Sequence, residues 1–117
     1  MLPTAGEFER PDESRVFDHG RVDVIRLGGH PVSRMTFHPG WVWSRHVRPL
    51  VGTGSCRVLH IGYLLQGRLA VRMDDGAEAV ASAGQAVLVP PGHDGWVVGD
   101  EDCVMLDWGG GAYAAGG

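Results

Sequence analysis

The chain has 117 residues, a formal net charge of −4 and a hydrophobic fraction of 44%, which is enough apolar material for the core of one domain. All ten basic residues are arginine, and the absence of lysine excludes Schiff-base catalysis and a phosphate-loop lysine. Asparagine is also absent, which excludes a Cys-His-Asn catalytic set.

The first predicted elements are an N-terminal arm and two short strands. Residues 1–19 begin with a polar stretch that carries two prolines, which predicts an arm outside the domain. The runs 22–27 and 32–37 are rich in β-branched residues, which is typical of strands. Residues 28–31 read Gly-Gly-His-Pro and predict a turn between these two strands.

Three further strands are predicted downstream. Residues 68–73 alternate between apolar and other side chains, and the Asp75-Gly76 pair that follows is a strong hairpin signal. Residues 86–89 form a continuous apolar run, which indicates a strand buried on both faces. A last strand is predicted over residues 103–106.

These elements predict one all-β domain over residues 20–108, followed by a Gly/Ala tail over residues 109–117 that has no packing potential. No segment shows a sustained helical period. The chain contains 19 glycines, about twice the usual share of roughly 7%. Many tight turns between short strands are typical of a β-sandwich or a β-barrel.

The distribution of charged and apolar residues also indicates the partners and the compartment. The arginines are scattered and form no basic stripe, so nucleic acid is not an expected partner. No apolar stretch approaches the roughly 18 residues of a membrane helix, and the N-terminus lacks signal-peptide features. We therefore expect a cytoplasmic protein without membrane contact, in which Cys56 and Cys103 are unbridged thiols.

Three motifs resemble those of the cupin family. Residues 84–92 read Gly-Gln-Ala-Val-Leu-Val-Pro-Pro-Gly and match the fixed positions that open the second cupin motif. Residues 63–69 resemble the end of the first motif, and residues 39–41 resemble its usual entry. The resemblance covers residues 20–108 and implies a double-stranded β-helix, or jelly-roll, barrel that binds a small molecule. It also implies a homodimer, which agrees with the need of small β domains to cover their edge strands.

The usual metal ligands of that family are replaced in this chain. Counting back from Gly67 places His60 at the family's glutamate and Cys56 at the second of its paired histidines. The usual histidine of the second motif falls on Gly95, and His93 lies two residues earlier. The standard three-His-one-Glu set is therefore absent, and Cys56, His60 and His93 are the candidate metal ligands.

A thiolate with two imidazoles favours zinc first, with copper or iron as alternatives, over manganese or magnesium. On one straight strand the side chains of Cys56 and His60 would stand about 13 Å apart, which is too far to share a metal. The site therefore requires a turn or bulge over residues 57–59. The family's first motif turns at this place, whereas Val58 and Leu59 are poor turn residues.

Each candidate ligand also has a purely structural explanation. Cys56 can be a small buried hydrophobe, and His60 can be a hydrogen-bonded barrel histidine. Asp94 can orient the ring of His93 as a carboxylate does behind a metal-bound histidine, or the two can satisfy a local turn. These alternatives remain open at the level of sequence.

An aromatic pocket is expected around the candidate ligands. Trp41, Trp43 and Trp96 are suited to line a small-molecule site, and the alternative is ordinary packing in a small barrel. His46 lies nearby in sequence, and both His46 and Asp94 are predicted to belong to this pocket.

Three classes of function remain open. The first is a metal-dependent oxidoreductase or isomerase that acts on a small organic molecule by a redox, isomerisation or cyclisation step, with His60 and His93 at the reacting centre. The second is a non-catalytic module that senses a small molecule or a metal. The third is a metal-free enzyme in which His60 or His93 is the base and Tyr63 the acid. A regular strand would place Tyr63 on the face opposite His60.

Overall fold

The structure is a computed structural model that describes residues 2–109 of the chain. Within that range it contains nine strands and two short helices. They are β1 (Glu13–Phe17), β2 (Gly20–Leu27), β3 (His30–Phe37), α1 (Trp43–His46), α2 (Arg48–Val51), β4 (His60–Gln66), β5 (Arg68–Met73), β6 (Glu78–Ser82), β7 (Ala86–Val89), β8 (His93–Val97) and β9 (Cys103–Asp107).

The strands form two sheets whose neighbours are all antiparallel. The larger sheet has the order β1-β2-β3-β9-β4-β7, and the smaller has the order β6-β5-β8. The last strand, β9, lies between β3 and β4, and β4 also pairs with β7. Connections that pass between two antiparallel sheets in this way are those of a jelly roll, so the predicted all-β fold is confirmed.

The hairpin between β2 and β3 shows how local sequence determines the register. Leu27 pairs with His30, so only Gly28 and Gly29 form the loop. Their φ angles of 59° and 83° are both positive, as a two-residue type I′ turn requires. The loop is shorter than the predicted turn over residues 28–31, because His30 and Pro31 are already paired with β2.

The three strands predicted downstream are also present. The runs 68–73 and 86–89 are β5 and β7, and 103–106 is β9 without its last residue. The predicted burial of 86–89 on both faces is wrong, because β7 is an edge strand of the larger sheet and its Leu88 side chain is 61% exposed. Asp75 and Gly76 lie in the turn between β5 and β6, where Gly76 has a φ of 92°.

The strands β4, β6 and β8 were not predicted, and two other features differ from the sequence prediction. The predicted arm over residues 1–19 contains β1, which pairs with β2 from Glu13 to Phe17 and so belongs to the larger sheet. The helices α1 and α2 have four residues each, which is too short to produce a detectable helical period. Among the described residues no helix has the length and apolarity needed to cross a membrane. The predicted tail lies outside the described residues except for Gly109.

The core lies between the two sheets and closes around the candidate ligands. Gly62, on the inner face of β4, is required there because an added Cβ would come within 2.0 Å of the Leu106 carbonyl oxygen on β9 and within 2.8 Å of the Met105 methyl group. The buried apolar side chains packed into this core are Val22, Val24, Met35, Phe37, Trp41, Trp43, Val47, Cys56, Leu64, Leu69, Val71, Ala81, Val89, Val97, Cys103 and Met105.

Candidate metal centre

Three potential metal ligands meet inside the barrel. Cys56, His60 and His93 are all buried, and each offers one ligand atom within 4.8 Å of the other two. The Cys56 Sγ atom lies 3.7 Å from His60 Nε2, and the two imidazole rings are 5.2 Å apart at 66°. We call these three residues the buried cluster.

Backbone pairing carries Cys56 to His93. The two residues form an isolated antiparallel bridge, in which the Cys56 N–H donates to the His93 carbonyl at 2.7 Å. Residues 57–59 that follow belong to no strand; the backbone N–H of Val58 donates to the Cys56 sulfur, and the His60 ring lies beside that sulfur. The irregular backbone over residues 57–59, rather than a regular turn, brings Cys56 and His60 together.

A buried carboxylate lies behind His60. The Nδ1 atom of His60 is 2.5 Å from Asp107 Oδ2, and Asp107 itself is only 2% exposed. The other carboxylate oxygen of Asp107 accepts the backbone N–H groups of Ile61 and Gly109, at 3.3 and 2.9 Å. Because a carboxylate accepts, His60 Nδ1 carries a proton and its Nε2 atom faces the thiol. This is the arrangement that presents a histidine to a metal.

His93 is oriented in the same sense by a different partner. Its Nδ1 atom lies 2.7 Å from the Pro90 carbonyl oxygen, which can only accept a hydrogen bond. The proton of a neutral His93 ring is therefore on Nδ1, and the lone pair of Nε2 is available.

The electrostatics of the buried cluster favour a thiolate. Burial raises the pKa of the Cys56 thiol, but the interactions of the sulfur with the His60 and His93 rings and with the Val58 N–H outweigh that effect and lower the pKa to about 6. Burial lowers the pKa of His60, but the hydrogen bonds to Asp107 and Cys56 reverse this and raise the pKa to about 9. Near neutral pH the pair is therefore a thiolate beside an imidazolium.

The spacing of the donor atoms fits a single metal ion. With bond lengths of about 2.3 Å to sulfur and about 2.05 Å to nitrogen, a shared metal places the two atoms about 3.6 Å apart at a tetrahedral angle. At a trigonal angle the same bonds give about 3.8 Å. The 3.7 Å between Cys56 Sγ and His60 Nε2 lies between these values.

A small cavity opens beside the three ligands. Its volume is about 30 Å³, room for one or two water molecules. Trp41 and Trp43 line it, where an aromatic wall was predicted, and the Trp41 indole N–H is buried without a hydrogen-bond partner in the described part of the chain. The lining residues are Met35, Phe37, Trp41, Trp43, Cys56, His60, Leu69, Val71, Val89, His93, Gly95 and Met105.

Comparisons with solved structures identify the fold. A RmlC-like cupin from Shewanella frigidimarina NCIMB 400 superposes with a TM-score of 0.59 at 17% identity, covering 97% of this chain and 99% of that chain. The fold is that of a cupin. The polyketide cyclase RemF from Streptomyces resistomycificus gives a TM-score of 0.62 at 14% identity, over 91% of this chain and 78% of that chain. KdgF from Halomonas sp. gives 0.52 at 21% identity, over 80% and 83%.

These identities establish the fold alone. No protein-family model matches the chain, and no curated protein matches it. What this protein does must therefore be argued from its own residues.

Two aromatic residues expected at the site face away from the cupin cavity. Tyr63 lies on β4 three residues after His60, and strand alternation leaves its side chain on the outer face, 38% exposed. The register shift of β4 occurs between Leu64 and Gln66, too late to turn Tyr63 inward. Trp96 occupies an outward position of β8, between the inward Gly95 and Val97, and is not among the residues that line the cavity.

Asp94 and His46 have backbone partners instead of a place in the pocket. The Asp94 carboxylate accepts the N–H of Ser44 at 3.0 Å and so caps the first turn of α1. The orientation of the His93 ring that sequence assigned to Asp94 is provided by the Pro90 carbonyl. His46 Nδ1 accepts the backbone N–H of Val42 at 3.0 Å. Neither Asp94 nor His46 lines the cavity.

Asp107 is the site residue that sequence analysis missed. It follows the predicted strand 103–106, and in period-two alternation it shares a face with Cys103 and Met105. A charged residue on a buried apolar face is usually paired with another polar group, so the position of Asp107 in the sequence could have marked it as a site residue.

A second group of potential ligands lies near the surface. Asp18, His19 and His46 also place one ligand atom each within 4.8 Å of one another. The rings of His19 and His46 stack at 4.3 Å, and the Asp18 carboxylate is 2.8 Å from His19 Nδ1. We call these three residues the surface cluster.

Proposed function

We propose that this cupin is a metal-dependent enzyme in which Cys56, His60 and His93 bind one divalent transition metal, and that it acts on a small organic molecule. The observation that carries the proposal is the convergence of three buried donor atoms within 4.8 Å. Two further hydrogen bonds, from His60 to Asp107 and from His93 to Pro90, support it because they occupy the Nδ1 atom of each ring and leave Nε2 as the ligand atom.

Three protein ligands leave at least one coordination position open, which is the mark of a catalytic site. When bound, the metal supplies Lewis-acid or redox chemistry. Asp107 retains the proton on His60 Nδ1 and so fixes the ring that faces the metal. Trp41 and Trp43, each at most 4% exposed, exclude bulk water from the cavity.

The volume of the cavity limits how much of a substrate can enter. A volume of about 30 Å³ accommodates a reacting group rather than a whole organic molecule, so the substrate inserts one end beside the metal. The buried indole N–H of Trp41 needs an acceptor, which a substrate oxygen would supply. We therefore propose a substrate that carries oxygen and undergoes a redox, isomerisation or cyclisation step. One structural relative, RemF, is a polyketide cyclase.

Metal content of the purified protein tests the proposal. We expect about one equivalent of a transition metal in protein purified without added metal, and its loss in a Cys56→Ala, His60→Ala double variant. An Asp18→Ala, His19→Ala double variant of the surface cluster is the matched control and should retain the metal. Stoichiometric metal in the first variant would overturn the assignment. Metal that exchanges no water and supports no turnover would leave a sensor or structural site.

A second candidate function is supported by the order of the buried side chains. Cys56, His60 and Asp107 form a line in which Sγ is 3.7 Å from Nε2 and Nδ1 is 2.5 Å from the carboxylate. This is the order of a thiol nucleophile, its base and the acid that orients the base, and it needs no metal. Turnover that survives complete removal of metal by a chelator would select this function over the metal-dependent one.

The homodimer is also a proposal. Ile61 on β4 pairs with Leu88 on β7, and these outward side chains are 39% and 61% exposed. Adjacent exposed apolar residues on a sheet face are typical of a contact surface. Light scattering should give twice the chain mass, and an Ile61→Glu, Leu88→Glu variant should be monomeric if this face is the interface.

A further inference from the structure

We infer that the body of the substrate binds in a groove between the edge strands β6 and β7, while its oxygen-bearing end reaches the cavity beside the buried cluster. The substrate is then an elongated, largely apolar molecule. This inference rests on the proposed function and deepens it, because it locates the part of the substrate for which the cavity of about 30 Å³ has no room.

The groove is the open side of the two-sheet sandwich. Strand β6 is an edge of the smaller sheet, β7 is an edge of the larger sheet, and residues 83–85 connect them. Ala79 of β6 faces inward, because it pairs directly with the buried Val71 of β5. Ala79 is nevertheless exposed, so the two sheets do not close over this position.

The groove has the size and the chemistry of a site for an apolar ligand. Its volume is about 590 Å³, within the range of roughly 300–1,000 Å³ that is typical of small-molecule sites. Of the described residues that line it, all are aliphatic or carry a thioether except Gln85 and Glu78. Glu78 is exposed and lies 3.8 Å from Arg72, which already balances its charge. The lining therefore favours an uncharged, apolar ligand.

The groove is adjacent to two of the proposed metal ligands. Val71 and Val89 line both the groove and the cavity, so their side chains stand between the two spaces. Val89 pairs with His60, and Met73, which also lines the groove, pairs with His93. Directly opposed residues of antiparallel strands have Cβ atoms about 4.5–5.5 Å apart. A molecule in the groove therefore needs to pass only Val71 and Val89 to present one end to the metal.

Binding of alkyl hydroxamic acids to the full chain loaded with one equivalent of Zn(II) tests the inference. The hydroxamate group binds the metal through its oxygen atoms, and the alkyl chain stands for the body of the substrate. From acetohydroxamate to octanohydroxamate, calorimetry should show an affinity that rises about two- to fourfold with each added methylene, because each methylene leaves water for the groove.

The variant Ala79→Trp should fill the groove without disturbing the core, since Ala79 is exposed. It should lower the affinity for octanohydroxamate by at least about tenfold, because the alkyl chain loses its buried site. The affinity for acetohydroxamate should not change, since this shorter molecule occupies only the cavity. Ala83→Trp is the matched control, because Ala83 is exposed between β6 and β7 and does not line the groove. Both affinities of this control should equal those of the parent protein.

The outcomes separate the groove from the proposed metal site. An affinity that does not depend on chain length, or an equal effect of Ala79→Trp on the two hydroxamates, overturns the groove and leaves the metal site in place. Failure to bind Zn(II) overturns both proposals. If chain length has no effect and light scattering shows that Ala79→Trp dissociates a dimer, a second copy of the chain occupies the groove and the inference is wrong. Circular dichroism of each variant verifies that the barrel is folded.

Discussion

The buried cluster and the surface cluster each gather three potential ligands within 4.8 Å, but His46 of the surface cluster differs from His60 and His93 in the partner of its Nδ1 atom. In the buried cluster both Nδ1 atoms face acceptors, the Asp107 carboxylate and the Pro90 carbonyl. In the surface cluster His46 Nδ1 accepts the N–H of Val42 at 3.0 Å, so the proton of a neutral ring is on Nε2.

This difference teaches that the atom behind the ring decides whether a histidine can bind a metal. The protonated Nε2 of His46 faces the Asp18 carboxylate at 3.7 Å and has no lone pair to offer. A neutral His93 ring presents an unprotonated Nε2 atom. His60 does so once the proton between its Nε2 atom and the Cys56 sulfur has left. The distances between ligand atoms alone do not distinguish the two clusters.

The largest expected effect comes from removing the thiolate. Cys56→Ala should lower zinc or copper affinity by more than about 100-fold, because no other soft anionic donor lies in the cavity wall. His19→Ala in the surface cluster should leave the affinity unchanged. Competition with a chromophoric chelator measures both. An equal loss in the two variants would remove the distinction between the clusters.

The second-largest expected effect comes from moving the proton of the neutral His60 ring from Nδ1 to Nε2, where His46 carries it. In Asp107→Asn the amide oxygen should keep the N–H groups of Ile61 and Gly109, which turns the NH₂ group toward His60 Nδ1. His60 would then accept at Nδ1 and carry its proton on Nε2. We expect metal affinity to fall about 10- to 100-fold.

The control for Asp107→Asn is Asp18→Asn, which should change nothing. Chelator competition gives the affinities, and the nitrogen chemical shifts of His60 report its tautomer directly. An unchanged tautomer in Asp107→Asn with normal affinity would show that Asp107 has no positioning role.

Metal affinity should depend on pH through the His60 proton. Because the pKa of His60 is raised to about 9 in the metal-free protein, binding near pH 7 must displace that proton. Affinity should therefore rise about tenfold per pH unit up to about pH 9. Below about pH 6 the Cys56 thiol also binds a proton, so the dependence should steepen. The buffer dependence of the calorimetric enthalpy should show about one proton released at pH 7, and a value near zero would contradict this prediction.

Cys56 should react faster with alkylating reagents than Cys103. Burial alone raises the pKa of Cys103 to about 11, whereas the pKa of Cys56 is lowered to about 6. A small alkylating reagent at neutral pH should modify only Cys56 in the metal-free folded protein, because the thiolate is the nucleophile. Bound metal should protect Cys56, and mass spectrometry locates the adduct. Modification of Cys103 at a similar rate would contradict the assigned environments.

The smallest effect concerns His46 as a structural residue. His46→Ala leaves the Val42 N–H without its acceptor and should lower the free energy of unfolding by about 1 kcal/mol. Metal affinity should not change. Chemical denaturation measures the free energy of unfolding, and chelator competition measures metal affinity on the same variant. A large loss of metal affinity would show that His46 takes part in metal binding.

Local chemistry made much of the fold predictable. The paired glycines 28 and 29, the Asp75-Gly76 turn and the run 86–92 each determine a turn or a strand end within a few residues. The strand β1 was missed because its burial depends on pairing with β2, which the polar sequence of the arm does not reveal. The helices α1 and α2 were missed because four residues contain too little periodicity.

The site was predictable only where motif spacing applied. Cys56, His60 and His93 were named from spacing, and the structure brings them together, while their role as ligands stays a prediction. Tyr63 and Asp94 were assigned from nearness in sequence, but strand alternation and a contact with α1 direct them elsewhere. Asp107 reaches His60 across a separation of 47 residues, a contact that no local pattern encodes.

The bridge between Cys56 and His93 has a consequence for the order in which the chain folds. Cys56 and His60 are four residues apart, so an unfolded or emerging chain already offers this thiol-imidazole pair as a loose chelate. His93 and Asp107 reach that pair only after β8 and β9 have been added to the sheets, and such distant contacts form late because loop closure is costly in entropy. If the buried cluster binds a metal as proposed, an ion bound at that early stage would be held by only two donors and would exchange freely. Discrimination between metals would then belong to the finished barrel, in which β8 and β9 bring His93 and Asp107 to the pair.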